Sequence, residues 1–136
     1  MRRFLFFALP LLVLAMALYA FVQEAFGMAP DPALLSPSAP PRLPGWMPLA
    51  TWVLESIGLA ALFLMIQGRG GSRLASGLLA GWIAWVFRGP LLVVTVVSLA
   101  GLAPGPWWVL VFSWWVLYTV CGLLLGVVAV SAGLPP

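Results

Sequence analysis

Lysine, histidine and asparagine are absent from this 136-residue sequence, which also has a single cysteine and only three acidic residues. Without histidine there is no ordinary haem ligand, no histidine-based zinc or copper site and no histidine base. Without lysine no Schiff base can form. A single thiol, Cys121, allows neither an intramolecular disulfide nor a dithiol relay. These absences predict a protein that is not an enzyme and that binds no metal ion and no cofactor.

Charged residues are also scarce, at 7% of the chain, whereas 64% of the residues are hydrophobic. A soluble domain carries about 25% charged residues, so this chain could not cover a surface that faces water. Six arginines against three acids give a net charge of +3. Most of these arginines flank apolar segments and form no basic stripe, so we expect membrane lipids and no nucleic acid as partners.

Long apolar segments occupy almost the whole chain and predict an all-α integral membrane protein, a bundle of four transmembrane helices. The predicted spans, within a single membrane domain over residues 1–136, are 4–26, 46–67, 74–101 and 107–132. The third span would measure ~42 Å as a straight helix against a hydrocarbon core of ~30 Å, and Gly89-Pro90 predicts a kink near residues 89–90. Residues 27–45 are rich in proline and predict an extended outer loop.

The first apolar segment has two interpretations. A basic start, an apolar run and Ala25-Phe26-Gly27 match the pattern of a cleaved signal peptide. The apolar run is longer than the usual core of such peptides, so we favour a helix that stays in the mature chain.

The arginines predict how the chain crosses the membrane. If all four segments span it, one side carries Arg2, Arg3, Arg69 and Arg73, and the other carries Glu24, Asp31 and Arg42. Basic residues favour the cytoplasmic side. We therefore expect both termini in the cytoplasm and the loop at 27–45 outside, in a multi-pass protein of the cell membrane, which is the inner membrane in a bacterium.

Two pairs of glycines have the spacing that lets membrane helices pack closely. Gly77 and Gly81 lie on one face of the third segment, and Gly122 and Gly126 lie on one face of the fourth. Both pairs fall in the cytoplasmic half of the predicted topology, so the two helices can touch along them. Contact within one chain, contact between subunits and a chance spacing all remain open.

Glu55 and Arg88 are the two ionisable residues deep inside the apolar segments. A charge at this depth is costly unless it is paired or hydrated, and such residues mark functional sites. At 100° per residue, Arg88 shares a stripe with Gly77 and Gly81 that faces the protein interior. Glu55 and Tyr118 lie at compatible depths, so the sequence predicts a buried polar site formed by Glu55, Arg88 and Tyr118. It is either a structural ion pair or a site for a proton, an anion or the head group of a lipid or quinone.

These observations favour a small, non-catalytic integral membrane protein that acts as an accessory or structural subunit of a membrane complex. The alternative is a small homo-oligomeric transporter or channel that uses the Glu55–Arg88 site. Its partners would be other membrane subunits in the first case and copies of the same chain in the second.

Overall fold

Helices account for nearly all of the chain that the computed structural model describes, which is residues 1–28, 44–102 and 104–134. In chain order they are α1 (Arg2–Ala25), α2 (Met47–Gln67), α3 (Arg73–Val86), α4 (Leu92–Ala100) and α5 (Pro104–Ser131), with a π-helical turn, Phe87–Leu91, between α3 and α4. Because α3, the π turn and α4 are continuous, they form one span, Arg73–Ala100. In the described part of the chain, four spans are long and apolar enough to cross a membrane, so the predicted all-helical, four-span fold is confirmed.

The ends of the helices follow local chemistry. The Ser72 side chain accepts a hydrogen bond from the backbone N–H of Ala75 at 3.1 Å and so caps the start of α3. Gly101 ends α4 with φ 62°, a left-handed conformation that glycine adopts without strain. The last helix begins at Pro104 rather than at the predicted residue 107. Proline is tolerated there because the first turn of a helix needs no N–H donor.

The π turn lies where the sequence predicts a kink. Pro90 has no N–H, so the α-helical hydrogen-bond ladder is interrupted at this point. The chain accommodates the loss by widening locally into π-helical geometry, which often accompanies functional sites. Arg88 belongs to this turn. Most of the predicted proline-rich loop at 27–45 lies outside the described residues.

The four spans form a ring in which helices adjacent in sequence are also neighbours in space. α1 packs on α2, α2 on α3, α3 on α5, and α5 returns to α1. The core between them contains Phe4 of α1 stacked on Phe63 of α2, with ring centroids 5.3 Å apart. It continues through apolar side chains of every span: Ala8, Leu12, Met16, Leu59, Ala60, Ala80, Leu117, Cys121, Leu125 and Ala129.

The closest helix contact is between α3 and α5, along the two glycine pairs. A Cβ atom on Gly77 would collide with the carbonyl oxygen of Gly122, and one on Gly81 would collide with the carbonyl oxygen of Tyr118. A Cβ on Gly126 would lie 2.9 Å from the Cα of Leu74. The two backbones are therefore in direct contact within one chain, where they gain the dispersion contacts that substitute for hydrophobic driving force in lipid.

Candidate functional site

Three spans bring Glu55, Arg88 and Tyr118 together near the middle of the bundle. Glu55 lies eight residues after the start of α2 at Met47, or ~12 Å along the helix. Arg88 is ~22 Å from Arg73 at the start of α3, and Tyr118 is ~21 Å from the start of α5. α2 and α5 begin at one end of the bundle and α3 begins at the other, and contacts between the three side chains bring them to one level.

The carboxylate of Glu55 is the centre of the cluster. Its Oε1 lies 2.9 Å from Nη1 of Arg88, and its Oε2 accepts a hydrogen bond from the hydroxyl of Tyr118 at 3.1 Å. Oε1 accepts no hydrogen bond from the described residues, so its contact with Arg88 is an ion pair rather than an aligned hydrogen bond. The Tyr118 contact joins α2 to α5 across the ring. The cluster therefore connects three of the four spans.

The two charges are balanced but not fully enclosed. The Arg88 side chain keeps 39% of its surface exposed, and that of Glu55 keeps 20%. The guanidinium carbon of Arg88 also lies 5.3 Å from the centroid of the Trp114 ring, which is within the range of a cation–π interaction. The site thus has no net charge, yet Arg88 has further N–H donors that can reach a molecule outside the chain.

A cavity reaches the ion pair from the interior, and we call it the polar cavity. It has a volume of about 180 Å³. Its lining adds polar and aromatic side chains to the three cluster residues: Tyr19, Gln23, Trp52 and Trp114. Gln23 lies near the end of α1, and Trp52 near the start of α2. The polar cavity therefore extends from the ion pair towards the end of the bundle where residues 27–45 connect α1 to α2.

A second depression approaches the ion pair from the lateral surface, and we call it the lateral groove. It has a volume of about 340 Å³ and lies between α2 and the π turn. Its walls include Gly58, Ala84, Phe87 and Leu92. Nothing lies within 4 Å of the position of a Cβ on Gly58, so the chain itself does not require glycine there.

Sequence reasoning missed the contribution of α1 to the site. The Gln23 amide donates a hydrogen bond to the hydroxyl of Tyr19 at 2.7 Å, and both side chains line the polar cavity. Their spacing of four residues places them on one helix face and is the signal that could have found them. Trp52 of α2 also lines this cavity.

The donor set limits the chemistry of the site. Among the described residues no group of three His, Cys, Asp or Glu side chains is arranged to hold a metal ion. Glu55 is the only carboxylate of the cluster, and Arg88 already neutralises it. No protein-family model, known protein or solved structure gives a match to this chain. Any functional conclusion therefore rests on the geometry of the site alone.

Proposed function

We propose that this chain is a non-catalytic accessory or structural subunit of a membrane complex, in the cell membrane and with both termini in the cytoplasm. One observation carries the proposal. Arg88 lies at mid-depth with 39% of its side chain exposed, next to the lateral groove. A guanidinium facing hydrocarbon costs several kcal/mol, and a partner helix that supplies an acceptor would remove that cost.

Gly58 supports the same proposal. No contact within the chain requires glycine at this position, because a side chain there would enter open space. Glycine on the surface of a membrane helix lets a second helix approach closely. Gly58 and Ala84 both line the lateral groove, so a partner backbone can approach Arg88 along small residues.

A variant at Gly58 tests the proposal. We expect Gly58→Leu to fill the lateral groove and abolish a hetero-complex purified in mild detergent, while leaving the thermal stability of the isolated chain unchanged. Ala61→Leu is the matched control, because Ala61 is also exposed on α2 but does not line the groove. Purification of the wild-type chain as a homo-oligomer alone would contradict the proposal, as would equal losses of the complex in both variants.

A second candidate, a small homo-oligomeric transporter or channel, is favoured by the polar cavity. This cavity of about 180 Å³ gives a small solute or a proton a route to the Glu55–Arg88 pair. The double variant Glu55→Gln/Arg88→Gln, reconstituted in vesicles, separates the two candidates. Loss of a proton-linked or anion flux in a folded double variant supports transport, whereas the absence of flux in both the wild-type chain and the variant supports the subunit role.

A further inference from the structure

A separate groove opens between α1 and α5 at the end of the bundle that carries most of the arginines. We call it the α1–α5 groove. It has a volume of about 490 Å³ and is lined by Arg3, Phe7, Leu11, Val128, Ser131 and Ala132. Arg3 marks its polar end, and Leu11 lies eight residues further along α1, or ~12 Å deeper. The groove therefore runs from the membrane interface into the hydrocarbon region.

The lining of the groove is polar at one end and apolar along its length. Arg3 and Ser131 provide a guanidinium and a hydroxyl at the mouth. The Ser131 hydroxyl donates to the carbonyl of Val127 at 3.0 Å, so its oxygen is held in place and can still accept a hydrogen bond. Phe7, Leu11 and Val128 supply only hydrocarbon surface. A ligand for such a groove needs a polar head and an apolar chain.

The positive charge at this end of the bundle favours an anionic head group. Arg2, Arg3, Arg69 and Arg73 all lie at the ends of helices or in the turn on this side. Of the acids in the described part of the chain, Glu55 is paired with Arg88, and Glu24 lies ~32 Å from Arg3 along α1. No carboxylate in the described part of the chain is thus close to Arg3, so its guanidinium is available to an anion from outside.

We propose that the α1–α5 groove binds an anionic glycerophospholipid. The lipid phosphate accepts hydrogen bonds from the guanidinium of Arg3, a geometry for which arginine is well suited. One acyl chain lies along Phe7 and Leu11. A zwitterionic lipid has the same phosphate, but its ammonium group would approach the arginines and find no described carboxylate to pair with. This site is independent of the Glu55–Arg88 cluster.

Thermal unfolding of the purified, delipidated chain tests the proposal, with native mass spectrometry to count bound lipids. We expect added phosphatidylglycerol to raise the melting temperature of the chain more than added phosphatidylcholine does. In native mass spectrometry, one phosphatidylglycerol molecule should remain bound to the chain. Arg3→Gln should remove at least half of the shift caused by phosphatidylglycerol. Arg69→Gln is the matched control, because it removes the same charge at the same end but lies outside the groove, and it should keep the shift.

A second variant tests the acyl-chain part of the groove without a change of charge. Leu11→Trp should fill the groove and reduce lipid retention, whether or not it changes the stability of the lipid-free chain. Equal shifts of the melting temperature with both lipids would overturn the proposal. An equal loss of the phosphatidylglycerol shift in Arg3→Gln and in Arg69→Gln would also overturn it. A shift reproduced by inorganic phosphate alone would also overturn it, because it would indicate an ion site rather than a lipid site.

Discussion

At the scale of single residues, the Glu55 carboxylate determines what the middle of the bundle can do. Arg88 and Tyr118 approach its two oxygens from different spans, at 2.9 Å and 3.1 Å. Together the three side chains form a cluster with no net charge. Breaking such a pair on one side is harmful, because it leaves an uncompensated charge in a medium of low polarity.

The first prediction concerns the coupling of this pair. Glu55→Gln and Arg88→Gln should each destabilise the chain, and the double variant should be less destabilised than the sum, because it leaves no orphan charge. We expect a coupling free energy of about 1 kcal/mol or more, as for residues in direct contact. The measurement is a double-mutant cycle on the free energy of unfolding in detergent.

A second double-mutant cycle serves as the control for the Glu55–Arg88 cycle. Arg69 lies in the turn between α2 and α3, at one end of the bundle and far from the cluster along α2. Glu55→Gln combined with Arg69→Gln should therefore be additive within about 0.5 kcal/mol. Additivity in the Glu55–Arg88 cycle as well would show that the ion pair makes no net contribution to stability.

At the scale of helices, the contact between α3 and α5 sets the geometry of the site. The glycines bring the two backbones together at Gly77 and Gly81 on one side and at Gly122 and Gly126 on the other. Further along, the indole N–H of Trp85 donates to the carbonyl of Val111 at 2.9 Å. This bond links α3 to α5 one turn before Arg88. The pair of helices therefore holds Arg88 and Tyr118 at a fixed separation.

The second prediction is that even a methyl group at this contact is harmful. Gly77→Ala and Gly81→Ala should lower the free energy of unfolding by about 1–3 kcal/mol, because the new Cβ would overlap a carbonyl oxygen of α5. Gly58→Ala is the matched control, since the space beside Gly58 is open. It should be neutral or stabilise the isolated chain by up to about 1 kcal/mol through the higher helix propensity of alanine. Equal effects at all three positions would reject the packing role.

At the scale of the whole molecule, the ends of the bundle have different charges. Arg2, Arg3, Arg69 and Arg73 lie at one end, and Glu24 lies at the other. The positive-inside rule predicts an orientation with the arginine-rich end in the cytoplasm. In that orientation the polar cavity faces outwards, and the α1–α5 groove faces the cytoplasmic leaflet.

The third prediction tests this orientation by cysteine labelling in intact cells or spheroplasts. A cysteine introduced at Ser38, which lies outside the described residues, should react with a membrane-impermeant reagent before the membrane is opened. A cysteine at Leu134 should react only afterwards. The native Cys121 is buried and should give little background. Reversed labelling would contradict the topology, and a mature chain that lacks α1 would reduce the spans to three.

The helices, their order and their approximate limits follow from the amino-acid sequence. Long apolar runs in a chain with 7% charged residues can satisfy their backbone groups in a membrane only as helices, and four such runs predict four spans. Glu55 is the only acid deep inside these runs and Arg88 the only base, so their pairing was also predictable. The observed helix limits differ from the predicted ones by a few residues, as at Pro104, because local capping and proline chemistry set them.

The surroundings of the ion pair, in contrast, depend on how the helices pack together. Tyr19, Trp52 and Trp114 come from three different helices, and their meeting around the polar cavity depends on how each helix is rotated and tilted in the bundle. Hydrophobic periodicity does not determine that rotation here, because the helices are apolar on nearly every face, as expected for segments in contact with lipid. The backbone contact between Gly77 and Gly122 determines it for α3 and α5. Side-chain packing in the core then sets the positions of α1 and α2.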